Sequence, residues 1–309
     1  MTTSDTTPNV SEDQVIAWFD ELSNWGRWGP DDELGTLNHL SSDATRHAAS
    51  SVTEGRVISC SRRITPATNR PGEPVLHLMM SAGDDAPASG SSATTDWLGI
   101  GCHGTAVTHL DAHSHLVWNR KIYNGRDSAT VSVRGAQHGS VEAAADGIAA
   151  RGVLLDIARL RGGPVPAGEA ITARELDACF AAQQLEPGVG DVLLVRFGRD
   201  ELPGAAFFDG HAPLPGLAAD CVPWLHRQRV AVLGTDYVSD ALPSPYPRVG
   251  LPVHTVGIVA MGLWIIDNAE LGALSAVCAE LGRWSFFMTV AALRIARATG
   301  SPVNPIAVL

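Results

Sequence analysis

Between Gly101 and His115 the chain reads Gly-Cys-His-Gly-Thr-Ala-Val-Thr-His-Leu-Asp-Ala-His-Ser-His, and this stretch restricts the fold more than any other. Four of the eleven histidines, His103, His109, His113 and His115, stand around one carboxylate, Asp111. A buried imidazole needs a partner for both ring nitrogens, which apolar core packing does not supply. A fold that keeps this segment inside must therefore gather its polar atoms at a common point. In an extended chain side chains alternate between faces, so positions 103, 105, 107, 109 and 111 share one side. That pattern aims His103, His109 and Asp111 at one centre. Imidazole and carboxylate are the ligands that Zn²⁺ and Mn²⁺ favour. The plainer alternative is a solvated, histidine-rich loop, and the density of ligand-type residues favours the metal site over it.

His109, Asp111 and His115 supply two nitrogens and one or two oxygens, and a cation held by such a set, with one position open, brings the pKa of bound water to around 7 and polarises a carbonyl. Because aspartate can bridge, the site can hold one ion or two ions about 3.5–4 Å apart. His113 or His115 then remains to move a proton to the leaving group. These parts predict hydrolysis of an amide or ester by metal-bound hydroxide. Elsewhere the signals are weaker. His254 begins an apolar run, Val253–Ile266, and by itself reads as a satisfied core histidine unless the fold carries it to the cluster. Asp236 and Asp240 follow a buried strand and read first as turn or cap residues. Alternation turns Cys102 away from the cluster, where it packs rather than reacts. Gly99, Gly101 and Gly104 spell G-x-G-x-x-G, but no amphipathic helix follows, so a dinucleotide fold is not indicated. The chain contains no G-x-S-x-G, no phosphate loop and no H-E-x-x-H.

The 309 residues are 45% hydrophobic and 18% charged, enough to bury a large core. A formal charge of −11 argues against nucleic acid and against anionic membrane surfaces as partners. No apolar stretch reaches the roughly 20 residues that span a bilayer. The start, Met-Thr-Thr-Ser-Asp-Thr-Thr-Pro, lacks the basic and apolar regions of a secretory signal. Five scattered cysteines without Cys-x-x-Cys spacing fit reduced thiols, and the expectation is a cytoplasmic protein acting on a small molecule.

Strand-like and helical runs alternate, which predicts α/β or mixed α+β architecture in one domain over 11–309, behind a flexible tail over 1–10. Ser11 caps a helix to about Ser23, and Ser42–Ser51 reads as another. Strands are expected at Arg56–Arg63 and Val75–Met80, with a small, polar, mobile loop over Ser81–Thr95. Val141–Arg151 reads as a helix leading to a strand over Gly152–Ala158. Thr172 and Glu175 spell a capping box for a helix to about Gln184. Strands at Asp191–Phe197 and Val230–Thr235 flank a helix near Leu217–Arg227, and a helix over Ala269–Leu281 precedes a last strand over Trp284–Ala291.

Thr-His-Leu-Asp-Ala-His-Ser-His resembles the signature H-x-G-T-H-x-D-x-P-x-H of the cyclase family. That family includes bacterial kynurenine formamidase, isatin hydrolase and relatives that open lactones or cyclic amides. The segment Asn24–Asn38, the run Gly190–Arg196, Pro252-Val253-His254 and Gly300–Pro305 are similar to its longer members. The resemblance implies a β/β/α swivelling fold, a homodimer or homotetramer, and Zn²⁺ or Mn²⁺ at the signature. It implies that His109 and Asp111 are metal ligands and that His115 handles protons beside the metal. It also implies that His254 binds a second metal, with Asp267 as the acidic partner, one position later than in the formamidase pattern. Three positions depart from the signature: Thr105 replaces its first histidine, Val107 its glycine, and His113 its proline. His103 is the available substitute for the missing imidazole, and these departures favour a one-metal site.

Trp25 and Trp28 lie in the segment that resembles the family's N-terminal lid. They either stack on a flat aromatic substrate or anchor the loop on the core. An anionic substrate would call on an arginine such as Arg27 or Arg62. The expected activity is that of a metal-dependent hydrolase opening an amide, imide or lactone bond in a small, cyclic or aromatic substrate. Two alternatives are a polyketide-type cyclase or dehydratase, and a metal-free binding remnant that lost a ligand at Thr105.

Overall fold

Four runs rich in valine, leucine and isoleucine lie parallel and side by side at the centre: Ile148–Asp156, Val192–Arg196, Val232–Thr235 and Trp264–Asp267. Such runs are apolar on both faces because parallel strands are covered on both. The alternation is visible residue by residue. Val153, Leu155, Leu193, Val195, Leu233 and Ile265 enter one core with the helices Glu12–Glu21, Ala173–Ala182 and Cys221–Gln228. Leu154, Val192, Leu194, Val232, Trp264 and Ile266 enter a second core with the helix Gly272–Leu281. Each fully buried leucine or isoleucine contributes about 1.5–3 kcal/mol.

The computed structural model describes residues 10–66, 74–202 and 212–309. In it the central four strands belong to a nine-stranded mixed sheet. From one edge to the other its order is Val57–Ser59, Ile306–Val308, Ser285–Val290, the four parallel strands in chain order, His109–Asp111 and Gly300–Pro302. The tail expected over 1–10 lies outside the described residues except for Val10, which packs against the first core. Ser11 caps the first helix by accepting from Gln14 N, and the Thr172–Glu175 capping box forms as expected.

Three expectations are corrected. The helix expected over Val141–Arg151 is a single turn, Val141–Ala144, and the strand already begins at Ile148. Alternate burial of Ile148 and Ala150, paired against Val290 and Met288, overrides the helix propensity of the alanines. Thr95–Ile100 is a strand that pairs antiparallel with Val75–Ser81, so the expected loop is the end of a hairpin. This ribbon leaves Leu78, Met79, Met80, Trp97 and Leu98 exposed, and the Trp97 indole lies where a Cβ on Gly99 would project. Finally, Ser285–Val290 is not the last strand: Gly300–Pro302 and Ile306–Val308 follow it.

Pro252 opens a helix that widens into π-type turns over Thr255–Met261 and ends at Gly262. Among the described residues, no helix is long and apolar enough to cross a membrane.

Candidate metal centre

The strand His109–Asp111 runs antiparallel between Trp264–Asp267 and Gly300–Pro302, with His109 opposite both Asp267 and Pro302. Its two neighbours therefore bring distant carboxylate and hydroxyl groups to the histidine-rich segment. Only 109–111 is extended; the chain bends over 101–108 instead of running straight. The bend still delivers His103, whose Nδ1 donates to Asp111 Oδ1 at 2.8 Å. His103 Nε2 meets Thr299 Oγ1 at 2.9 Å. His109 Nδ1 donates to Val107 O at 2.8 Å, because a carbonyl can only accept, and its Nε2 stands 3.5 Å from Asp111 Oδ1.

A second group meets the same aspartate from the other side. His254 Nε2 lies 3.7 Å from Asp111 Oδ2 and 3.1 Å from Asp267 Oδ2. Asp240 fixes this histidine, accepting from His254 Nδ1 at 2.6 Å and from Val253 N at 2.7 Å. Ser239 Oγ donates to Asp267 Oδ1 at 3.0 Å. Asp240 thus caps the helix, as the sequence suggested, and also orients His254. Nothing local to Ser239 or Thr299 marks them in the sequence; only the fold brings them here.

His103, His109 and Asp111 form one set whose donor atoms lie within 4.8 Å of one another, and Asp111, His254 and Asp267 form another. The sequence departures favoured one ion, whereas the geometry offers two donor sets sharing Asp111. Asp111 Oδ2 is buried and, among the described residues, has no hydrogen-bond partner. Leaving a buried carboxylate oxygen unpaired is costly, and Asp240 and Asp267 are buried beside it. An arrangement of buried carboxylates and imidazole nitrogens with an unpaired oxygen fits a divalent cation.

Electrostatics divide the imidazoles. Burial opposes the charge on Asp111, but His115, His103 and His109 outweigh it and hold the carboxyl below its usual range. Burial also opposes a charge on His103, yet its hydrogen bond to Asp111 pushes the imidazole up to about 10. His115 stacks on His103 with ring centroids 3.7 Å apart. Burial, against the pull of Asp111 and reinforced by His103, His254 and His109, pushes His115 down to about 4. Burial opposes the charge on His254 as well, but Asp267 and Asp240 hold it well above the ordinary value.

His113 does not join the cluster. The chain turns after the strand, with His115 N donating to Ala112 O, and this breaks the alternation between 111 and 113. His113 Nε2 donates to Gly262 O at 2.9 Å, and its ring sits 4.6 Å from both Tyr123 and Trp264. It is a core residue in this fold, not a neighbour of Asp111. Burial pushes it down to about 4 from the ordinary 6.5. A depressed histidine value means the unfolded chain binds the proton more readily. His113 therefore contributes fully to stability above pH 6.5 and loses that contribution as pH falls toward 4. Wild-type protein is expected to lose urea resistance across this window more steeply than His113→Gln; parallel pH profiles would count against the assignment.

Trp25 and Trp28 are tied to the body of the protein. Trp25 Nε1 donates to Val259 O at 2.7 Å, and Trp28 meets the His39 ring edge-on at 5.2 Å. The Arg27 guanidinium lies 5.0 Å from the Trp28 ring centre. None of these partners belongs to the cluster. Arg62 instead pairs with Glu270 at 3.3 Å. Thr105 is buried, and its carbonyl accepts from Arg199 Nη2 at 2.9 Å.

A parallel core flanked by helices, with an aspartate shared between two His/Asp sets at the antiparallel edge, defines the class. The family model for cyclases matches residues 36–240, more than half of the chain, and the protein belongs to the cyclase family. A crystal structure described as that of a novel cyclase is 32% identical and has a TM-score of 0.83, covering 93% of this chain and 100% of its own. An isatin hydrolase bound to the product analogue thioisatinate is 18% identical with a TM-score of 0.61, covering 87% of this chain and 99% of its own. A structure described as a potential metal-dependent hydrolase with cyclase activity is 17% identical with a TM-score of 0.50, covering 82% and 98%. The last two likenesses are of fold. Among curated proteins, none matches the chain.

Proposed function

We propose that this chain is a divalent-metal-dependent hydrolase that opens an amide, imide or lactone bond in a small, cyclic or aromatic substrate. The observation that carries the reading is Asp111, which is shared by the His103–His109 set through Oδ1 and faces His254 with its unpaired buried Oδ2. The likeness of fold to an isatin hydrolase and to a potential metal-dependent hydrolase supports it. Zn²⁺ or Mn²⁺ bound there would supply Lewis acidity toward a carbonyl and would acidify water.

The chain's own residues do the rest. His109 presents Nε2 because Val107 O holds its other nitrogen. Asp240 fixes the ring of His254, the outer support a metal-binding histidine requires. His115 Nε2 lies 3.9 Å from Asp111 Oδ1, on the more open side of the cluster. Pushed down to about 4, it is neutral at pH 7, and any proton it picks up transiently would pass readily to the leaving nitrogen or oxygen. All five cysteines are free, which supports a reducing compartment such as the cytoplasm.

The test has two arms. Protein loaded with Zn²⁺ or Mn²⁺ is expected to bind the ion and to open at least one member of a panel of lactones, cyclic imides and N-formyl aromatics. Absence of any affinity for either ion would replace this reading with that of a metal-free remnant. Ion binding without ring opening anywhere in the panel would remove the hydrolase assignment.

A further inference from the structure

Asn268 follows Asp267 directly, yet its side chain serves the opposite set of donors. It is fully buried with φ of +57°, a conformation that asparagine tolerates better than most side chains. Its Nδ2 donates to Gly104 O at 2.6 Å and reaches Val107 O at 3.3 Å. Its own carbonyl accepts from Thr108 Oγ1 at 2.6 Å. Arg199 Nη1 donates to Asn268 Oδ1 at 2.7 Å, which leaves only the amide nitrogen to face the two loop carbonyls. The same guanidinium holds Thr105 O, so the bend over 104–108 is gripped from below at four consecutive or near-consecutive residues.

Val107 O is also the acceptor for His109 Nδ1. Holding that carbonyl in place holds the hydrogen on Nδ1 and leaves Nε2 toward Asp111. We propose that Asn268, oriented by Arg199, is a positioning residue that sets the His109 tautomer and the bend carrying His103. It thereby couples the two donor sets, since its backbone neighbour Asp267 belongs to one and its amide shapes the other. The proposal rests on the metal-site reading for its purpose, though its structural half stands independently.

The experiment compares wild-type protein with Asn268→Gly and Asn268→Asp. Glycine keeps the left-handed backbone and deletes the amide; aspartate keeps the shape and its bond to Arg199 but turns an acceptor toward Gly104 O and Val107 O. In protein without added metal, ring-nitrogen NMR is expected to find His109 as the Nδ1–H tautomer in wild type and to lose that preference in both variants. Zn²⁺ affinity of the folded proteins, read by chelator competition, is expected to fall about 10–100-fold, the usual effect of removing an outer support. Leu274→Ala, a buried change in the second core, should lower stability without moving either readout. If Asn268→Gly does not fold, Asn268→Asp carries both measurements. Wild-type tautomer and affinity in the variants would overturn the proposal. Failure of wild type itself to bind Zn²⁺ would instead sink the hydrolase reading, while the tautomer still decides the role of Asn268.

Discussion

Asp111→Asn is expected to abolish turnover and cation binding together while the protein remains folded. The substitution keeps the shape but removes the one charge that both donor sets share. Lewis-acid activation is worth several kcal/mol, and each 1.36 kcal/mol is a factor of ten, so activity should drop by about 10³-fold or more. Stability gives a second readout. A cation at 100 times its Kd stabilises the native state by about 2.7 kcal/mol, so wild-type protein should melt higher with Zn²⁺ added. The variant should show no such response. Full activity, or an undiminished Zn²⁺-induced shift, would move the centre away from Asp111.

The largest purely structural effect is expected from Gly35→Ala. Gly35 has φ of +54°, and a Cβ there would collide with Gly262 O and lie 2.7 Å from His113 Cε1. Gly262 is itself tightly packed on this side, with a Tyr123 ring atom 2.6 Å and Gly35 Cα 2.9 Å from where its own Cβ would project. Its carbonyl also accepts from Thr36 N at 2.8 Å, from Thr36 Oγ1 at 3.1 Å and from His113. Left-handed backbone costs a side chain about 1–2 kcal/mol, and overpacking adds about 1–3. The sum is roughly 2–5 kcal/mol in urea denaturation. Gly26→Ala supplies the comparison, since Gly26 has φ of +71° but nothing within 4 Å of its missing Cβ. If both variants lost equal stability, the close approach at Gly35 would not matter.

Much of this was legible in the sequence, for identifiable reasons. The parallel strands announced themselves as short runs apolar on both faces, and Thr172 with Glu175 declared its helix start through a local hydrogen-bond pattern. His103, His109 and Asp111 were grouped by a two-residue period, and the fold does group them, although His103 arrives through a bend. His113 was offered beside His115 as a proton carrier because it stands in the same histidine-rich run, but a turn at Ala112–His115 directs it to Gly262 O instead, and nearness in sequence carries no sign of that turn. Strands as short as Gly300–Pro302 hold too few residues for any alternation to register. Thr299, Ser239 and Asn268 reach the centre only through strand pairing across long stretches of chain, and nothing beside them in sequence advertises the partner. Trp25 and Trp28 were read as stacking platform or anchor, and their contacts are those of anchors.

The placement of Gly300–Pro302 against His109–Asp111 has a temporal corollary. Thr299 cannot steady His103, and His109–Asp111 cannot be flanked on both sides, until the ribosome has delivered nearly two hundred further residues. Contacts of such separation are slow to close. During synthesis the segment 103–111 therefore waits without one of its two flanking strands until Gly300–Pro302 is made and docks beside it.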